Sequence, residues 1–332
     1  MTDPMNDPMT DSATGSTTGS ISDPTTPGPF AADSDPAAPI AVLHSRIRVE
    51  ERRLLDEFDR RRVRYELLDT RTAVFRPDRP RLPYRGALSR EISHTRNVYA
   101  TRLLEHAGLT VVNSHDIITT CGDKLLTTLR LLDSGIPTPR VLVGLTPDAA
   151  LDALDDFGYP VVAKPLTGSW GRLGARLKER ETAEAVLEHK AALTGPQHQI
   201  TYIQDYVDKP GRDIRAYVFG REVVGAIYKY SDHWRTNTAR GGRPVVCPVG
   251  PDLEKLLVAT AEAMGEGVLA VDLLEGPDGE LFVNEVNHTP EFHGAIDVLG
   301  TGMVGRYVDY VLDRLDRTDR TGHPLDPTPA VR

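Results

Sequence analysis

The chain has 332 residues, 39% of them hydrophobic, and a formal net charge of -9. That length suits about two domains of roughly 150 residues each, and no apolar run approaches the ~20 residues of a membrane span. The acidic balance argues against a nucleic-acid partner, and two cysteines, Cys121 and Cys247, are too few for a zinc finger or a disulfide framework, as suits a reducing cytoplasm.

Residues 1–38 are rich in Asp, Thr, Ser, Pro and Gly with almost nothing to bury, and read as a disordered acidic tail. They lack a basic segment followed by an apolar one, so no secretion signal is expected. "PIAVLHS" (39–45) reads as a short buried strand. The charged helix "VEERRLLDEFDRRR" follows, with Leu54, Leu55 and Phe58 on one face, and then a second strand over 63–69. This is a Rossmann-like start, yet its first turn, "HSRIRVE", has no glycine through which a backbone could approach a pyrophosphate. Further on, "GIPTP" marks a helix end and "TPDAALDALDDFG" a capped amphipathic helix leading into the buried strand "YPVVAKPL". Next come a glycine-rich loop, a helix over 182–193, the strand "TYIQDYV" and the paired strands "RDIRAYVFG" and "EVVGAIYKYS". The chain then continues through the polar loop "TNTARGG", the helix "DLEKLLVATAEAMG" and a hairpin around Pro-Asp-Gly.

Lys164 ends a hydrophobic strand just before "TGSWGRLG", where a cation and loop N–H groups suit nucleotide phosphates, although no Walker sequence is present. Lys124 opens a helix, a place where its charge opposes the macrodipole unless an anion binds. Asp205 and Asp213 are candidates for nucleotide contacts and Arg215 for phosphate or carboxylate, while Arg235, Asn237 and Arg240 suit a multiply charged oxyanion. Glu285 and Asn287 lie two apart on a strand and share a face, and Asp272, on the preceding strand, can meet them. Three hard oxygen ligands suit Mg²⁺ shared with phosphates. His288, Glu291 and His293 offer a zinc alternative, but "HTPEFH" has neither zinc-protease spacing and Pro290 blocks a helix, so these residues are expected to face substrate.

In order, Lys124, Lys164 with its glycine loop, "IQDYV", "RDIRAYV", "TNTARGG", Asp272 and Glu285-x-Asn287 resemble the ATP-grasp ligases of the RimK type, and within them the LysX branch, over about residues 39–313. The resemblance implies an α/β fold: an N-terminal Rossmann-like (pre-ATP-grasp) domain over 39–118 and a central subdomain with the phosphate loop over 119–203. A C-terminal ATP-grasp subdomain over 204–315 and a flexible tail over 316–332 would complete it. It implies ATP and Mg²⁺, as two ions, and phosphorylation of a carboxylate to an acyl phosphate that an amine then attacks. The carboxylate would be the C-terminal glutamate side chain of a small acidic amino-group carrier protein, and the amine that of α-aminoadipate or glutamate. Lys124, Lys164, Gly168, Ser169 and Gly171 would hold phosphates, and Gln204, Asp205, Tyr206 and Val207 would line the adenine pocket. Asp213 would lie near ribose or phosphate, and Arg215, Asn237 and Arg240 near the acyl phosphate. Asp272, Glu285 and Asn287 would hold the metal, while His288, Thr289, Glu291, Phe292 and His293 would touch the amino acid. The branch continues "EF" with Lys and Asn where this chain has His293 and Gly294, which leaves the amino acid open. Glutamate addition to another protein or peptide, or a carrier-dependent secondary pathway, are the alternatives. A homodimer or homotetramer is expected, with Arg46, Arg48 and the arginines at 60–62 attracting the acidic carrier.

Overall fold

The structure, a computed structural model, describes residues 35, 37–168, 173–193, 195, 198–231, 233–234, 236 and 243–321. Strand β1 (Ile40–His44) is buried at all five positions, as suits a parallel strand covered on both faces. It pairs in parallel with β2 (Tyr65–Asp69) and β3 (Gly86–Ser89), and β3 pairs with β4 (Val111–Val112), giving the order β2-β1-β3-β4. Helix α1 (Val49–Arg60) buries Leu54 and Phe58 as its pattern predicts, and also Glu50 and Glu51, which it does not predict. Helix α2 (His94–His106) completes this layer.

Two helices, α3 (His115–Gly122) and α4 (Lys124–Asp133), lead out of it. They meet at Asp123, whose carboxylate accepts the N–H groups of Leu125 and Leu126 and so caps α4. The second sheet is antiparallel in the order β5-β8-β6-β7, from β5 (Val141–Gly144), β6 (Val161–Lys164), β7 (Ala175–Leu177) and β8 (Thr201–Asp205). Helices α5 (Pro147–Phe157) and α6 (Arg180–Ala191) cover it, sharing a core of Leu154, Val161, Ala163, Leu177, Leu187 and Ile203.

The third sheet is antiparallel in the order β11-β10-β9-β12-β13. Its strands are β9 (Arg212–Phe219), β10 (Glu222–Tyr230), β11 (Arg243–Cys247), β12 (Val268–Glu275) and β13 (Leu281–Asn287). One face, with Ile214, Ala216, Val218, Leu269 and Val271, shares a core with Leu253, Leu257, Ala261 and Met264 of α7 (Pro251–Met264). The opposite face carries Tyr217, Phe219, Ile227, Val268 and Ala270, which share a core with α8 (His293–Leu299) and α9 (Gly302–Thr321). The same core includes Ile40, Val42, Leu54 and Phe58, so α9 joins the first and third sheets. Among the described residues, helix α9 has its last buried one at Leu315, the expected end of the folded body, and continues as helix to Thr321.

Asn113, just after β4, fixes the junction. It donates to the carbonyls of Val268 at 2.8 Å and His288 at 2.6 Å, and accepts the N–H of Val268 at 2.7 Å. The parallel layer is thereby tied to the start of β12 and the end of β13.

Candidate active site

The third sheet presents its polar groups by simple alternation. Ile214, Ala216 and Val218 turn toward α7, so Asp213, Arg215 and Tyr217 turn the other way. Register sets Arg215 opposite Asp272 on one neighbour, and Asp272 opposite Glu285 on the next. Asn287, two positions on from Glu285, shares its face. The result is a face that is apolar under α8 and α9 and charged beyond them. Arg215 grips Asp272 with both prongs, Nε at 2.9 Å and Nη2 at 2.6 Å. Asp272 also accepts from Lys229 Nζ at 2.7 Å and from Asn287 Nδ2 at 2.9 Å. Burial by itself would raise the Asp272 carboxyl, but Arg215 and Lys229 hold it well below the usual carboxylate range. Next to this group, Lys209 bonds both Asp213 and, at 2.8 Å, Thr236, whose hydroxyl also donates to Asp213. Burial raises the Asp213 carboxyl against the pull of Lys209 and Lys229.

The two predicted lysines come from the second sheet and α4 and face this charged end. Lys164 Nζ donates to Gln204 and, at 2.9 Å, to Asn284 of β13. Burial pulls its ammonium down to about 8; Glu285 opposes the fall and Lys124 adds to it. Lys124 Nζ donates to the Gly168 carbonyl at 3.0 Å and lies 3.7 Å from Glu285. The backbone N–H of Lys124 bonds the Leu166 carbonyl, so the segment entering the glycine loop is pinned to the start of α4. At Gly168 the backbone turns through φ +127°, open to glycine and strained for other residues. Ser169, Gly171, Asn237 and Arg240 lie outside the described residues.

The four residues 204–207, at and just beyond the end of β8, divide. Gln204 is buried, its carbonyl taken by Lys164 and its Nε2 without a hydrogen-bond partner among the described residues. A buried donor left open beside a lysine fits a site completed by a nucleotide. The Asp205 side chain is committed to Arg140, at 2.6 and 3.2 Å, while Tyr206 stacks under Arg176 at 4.8 Å. Val207 is half-buried.

The predicted substrate segment is anchored by the parallel layer. Arg48 bonds Glu51 and, at 2.9 Å, Glu291. Arg90, fully buried, bonds Glu51 and the Pro290 carbonyl. Glu50 takes the His293 ring at 2.5 Å and the N–H groups of Phe292 and His293. His288 is half-buried, bonds Thr289 at 2.9 Å, and has its imidazole pulled down to about 3 by burial, with His94 and Arg90 adding to the effect. Phe292 departs from expectation: its ring is 1% exposed, between Arg90 and Tyr307, and packs the core because the helix beginning at His293 folds it inward. A small cavity bounded by Arg215, Tyr217, Ile227, Glu291 and His293 joins this segment to the sheet.

Lys209, Lys229, Glu50, Glu51 and Arg90 escaped the sequence reading, and Arg48, expected only as a carrier-attracting cation, instead holds Glu51 and Glu291. Lys229 had a signal, an isolated cation in the alternating strand "VVGAIYKY", whereas the acids opening α1 look like ordinary helix-start residues. Among the described residues no three His, Cys, Asp or Glu side chains converge as a metal set. Two carboxylates in cross-strand register with a neighbouring amide oxygen still form a hard-oxygen donor group that fits Mg²⁺ completed by phosphate.

Comparison with known proteins matches residues 40–120 to a LysX pre-ATP-grasp domain and residues 121–311 to a RimK-like ATP-grasp domain. The glutamate–LysW ligase ArgX of Sulfurisphaera tokodaii is 30% identical over 280 residues, spanning 84% of this chain and 99% of that protein. The α-aminoadipate–LysW ligase LysX of Saccharolobus solfataricus is 34% identical over 212 residues, or 64% of this chain and 77% of that protein. A RimK domain ATP-grasp protein of Sphaerobacter thermophilus superposes with a TM-score of 0.69 at 26% identity, covering 81% of this chain and 99% of that one. Families built on this fold use ATP, typically with Mg²⁺. With its two matched domains in sequence and its lysines set against a carboxylate-bearing sheet, this chain belongs to the RimK-like ATP-grasp ligases.

Proposed function

We propose that this ligase joins the α-amino group of an acidic amino acid to the C-terminal glutamate side chain of a small acidic carrier protein, with ATP converted to ADP and phosphate. The observation that carries the reading is the facing of Lys124 and Lys164 against Arg215, Asp272, Glu285 and Asn287. It is supported by relatives named for ligating glutamate or α-aminoadipate to LysW.

Lys124, Lys164 and the loop from Gly168 bind the phosphates, and the open Gln204 donor meets the base. Asp272, Glu285 and Asn287 would hold Mg²⁺, as two ions, and the metal would supply positive charge to offset that of the phosphates. The carrier carboxylate oxygen bonds to the γ-phosphorus and ADP leaves. The amine nitrogen then bonds to the acyl carbon, phosphate leaves, and the nitrogen gives up a proton. Arg215, with Asn237 and Arg240, neutralises charge on the acyl phosphate, so this chain contributes positioning and electrostatics. His293 and Gly294 take part in choosing the amino acid, because His293 sits at the cavity beside Arg215.

Purified carrier with ATP, Mg²⁺ and single amino acids, read by intact-mass spectrometry, tests this. One added amino acid less water on the carrier is expected. Repeated additions of glutamate would replace the reading with that of a tail-extending ligase, and a carrier unchanged by every acidic amino acid would reject it.

A further inference from the structure

Five cations, Lys124, Lys164, Lys209, Arg215 and Lys229, stand against three carboxylates, Asp213, Asp272 and Glu285, among the described residues of the site. A divalent ion arriving alone therefore enters a region that is already positive. Asp272 is the sharpest case. A carboxylate offers about four lone-pair positions, and here each oxygen already accepts two donors. Oδ1 takes Arg215 Nε and Lys229 Nζ, while Oδ2 takes Arg215 Nη2 and Asn287 Nδ2. Asp272 is 7% exposed and Lys229 5%, so water gives little help in separating them. The segment 209–213, linked through Lys209 and Asp213, adds a further ammonium beside the pair.

We propose that Asp272 is closed to a divalent ion until an incoming polyphosphate draws Lys229 and Arg215 away from it, which makes Lys229 the positioning residue that couples metal entry to nucleotide. The phosphates supply what the site lacks, negative charge for the two cations to move to, and Asp272 is then released as a ligand. The inference rests on the assignment of the metal to β12 and β13.

Mn²⁺ binding followed by electron paramagnetic resonance tests it without turnover. The wild-type protein alone should leave the free Mn²⁺ signal at its buffer level. With a non-hydrolysable ATP analogue it should remove Mn²⁺ beyond what the analogue alone removes. Lys229→Met, which keeps Arg215 as counter-ion, should bind Mn²⁺ without nucleotide at least about tenfold more tightly than the wild type; Lys229→Gln serves as a second variant of similar length. Adding Asp272→Asn to Lys229→Met should abolish the gain. Tight Mn²⁺ uptake by the wild type without nucleotide, or no gain in either Lys229 variant, overturns the proposal. If instead nucleotide-dependent Mn²⁺ binding is unchanged by Asp272→Asn and by Glu285→Gln, the metal lies elsewhere and the reading of the strands fails first.

Discussion

Lys164 is the residue whose chemistry is most exposed to test. In the proposed function it needs its charge to hold a phosphate, yet burial has brought its ammonium down to about 8, a loss that Lys124 deepens and Glu285 limits. A lysine lowered in this way is cationic below about 8 and neutral above, and an anionic ligand favours the cation. Affinity for an ATP analogue is therefore expected to stay flat from pH 6.5 to about 8. Above that it should fall by up to about tenfold per pH unit, with a proton taken up on binding. Calorimetry in buffers of different ionisation enthalpy reads both. Lys164→Met should bind about 10- to 100-fold more weakly and lose the pH dependence. A wild-type affinity that holds level to pH 9.5 would place this ammonium away from the phosphates.

At the scale of elements, the N-terminal end of α1 and the segment 288–293 work as one unit. Glu51 caps α1 through the Arg48 N–H at 2.8 Å and is also the counter-ion of Arg48 and buried Arg90. Burial would raise its carboxyl, but the two arginines bring it to about 2. Its contribution to stability is thus present above the ordinary glutamate value of 4.5 and is lost as pH falls from there through about 2. Arg90→Met leaves Glu51 with Arg48 alone, and should cost about 3 kcal/mol, the low end for breaking a buried pair. Thermal melting should drop by roughly 6 to 12 °C, with a higher KM for the amino acid because Pro290 loses its anchor. Melting within 2 °C of the wild type would contradict the clasp. The same elements show what the sequence reveals. Period-two alternation gave the shared face of Glu285 and Asn287, and Leu54 and Phe58 gave the buried face of α1. Glu50 and Glu51 were illegible because their partners Arg90 and His293 are distant in sequence, and acids at a helix start suit solvent equally well. Phe292 misled for a related reason: it lies between two polar groups, yet tertiary packing turns its ring inward.

Across the whole molecule, charge is distributed unevenly. The chain totals -9, yet residues 39–118 hold sixteen arginines and no lysine against eleven carboxylates. Much of that positive charge is committed internally. Arg60 and Arg61 bond Glu57, Arg61 also reaches Asp309, and Arg48 serves Glu51 and Glu291. Arg46 and Arg62 are exposed and carry no ion pair among the described residues. Arg46 lies two residues from Arg48, and so beside the segment holding Glu291 and His293. If the proposed function holds, an acidic carrier presenting its C-terminal carboxylate to this site would pass close to Arg46. Exposed charges attract within a screening length of ~10 Å at 0.1 M salt and ~3 Å at 1 M. Arg46→Ala should therefore raise the carrier KM several-fold at low salt, with kcat unchanged, and the difference should close as salt rises. Arg60→Ala, which removes a cation already neutralised by Glu57, should do much less. A carrier KM indifferent to salt, or equally sensitive to Arg46 and Arg60, would move the docking face away from the mouth of the parallel layer.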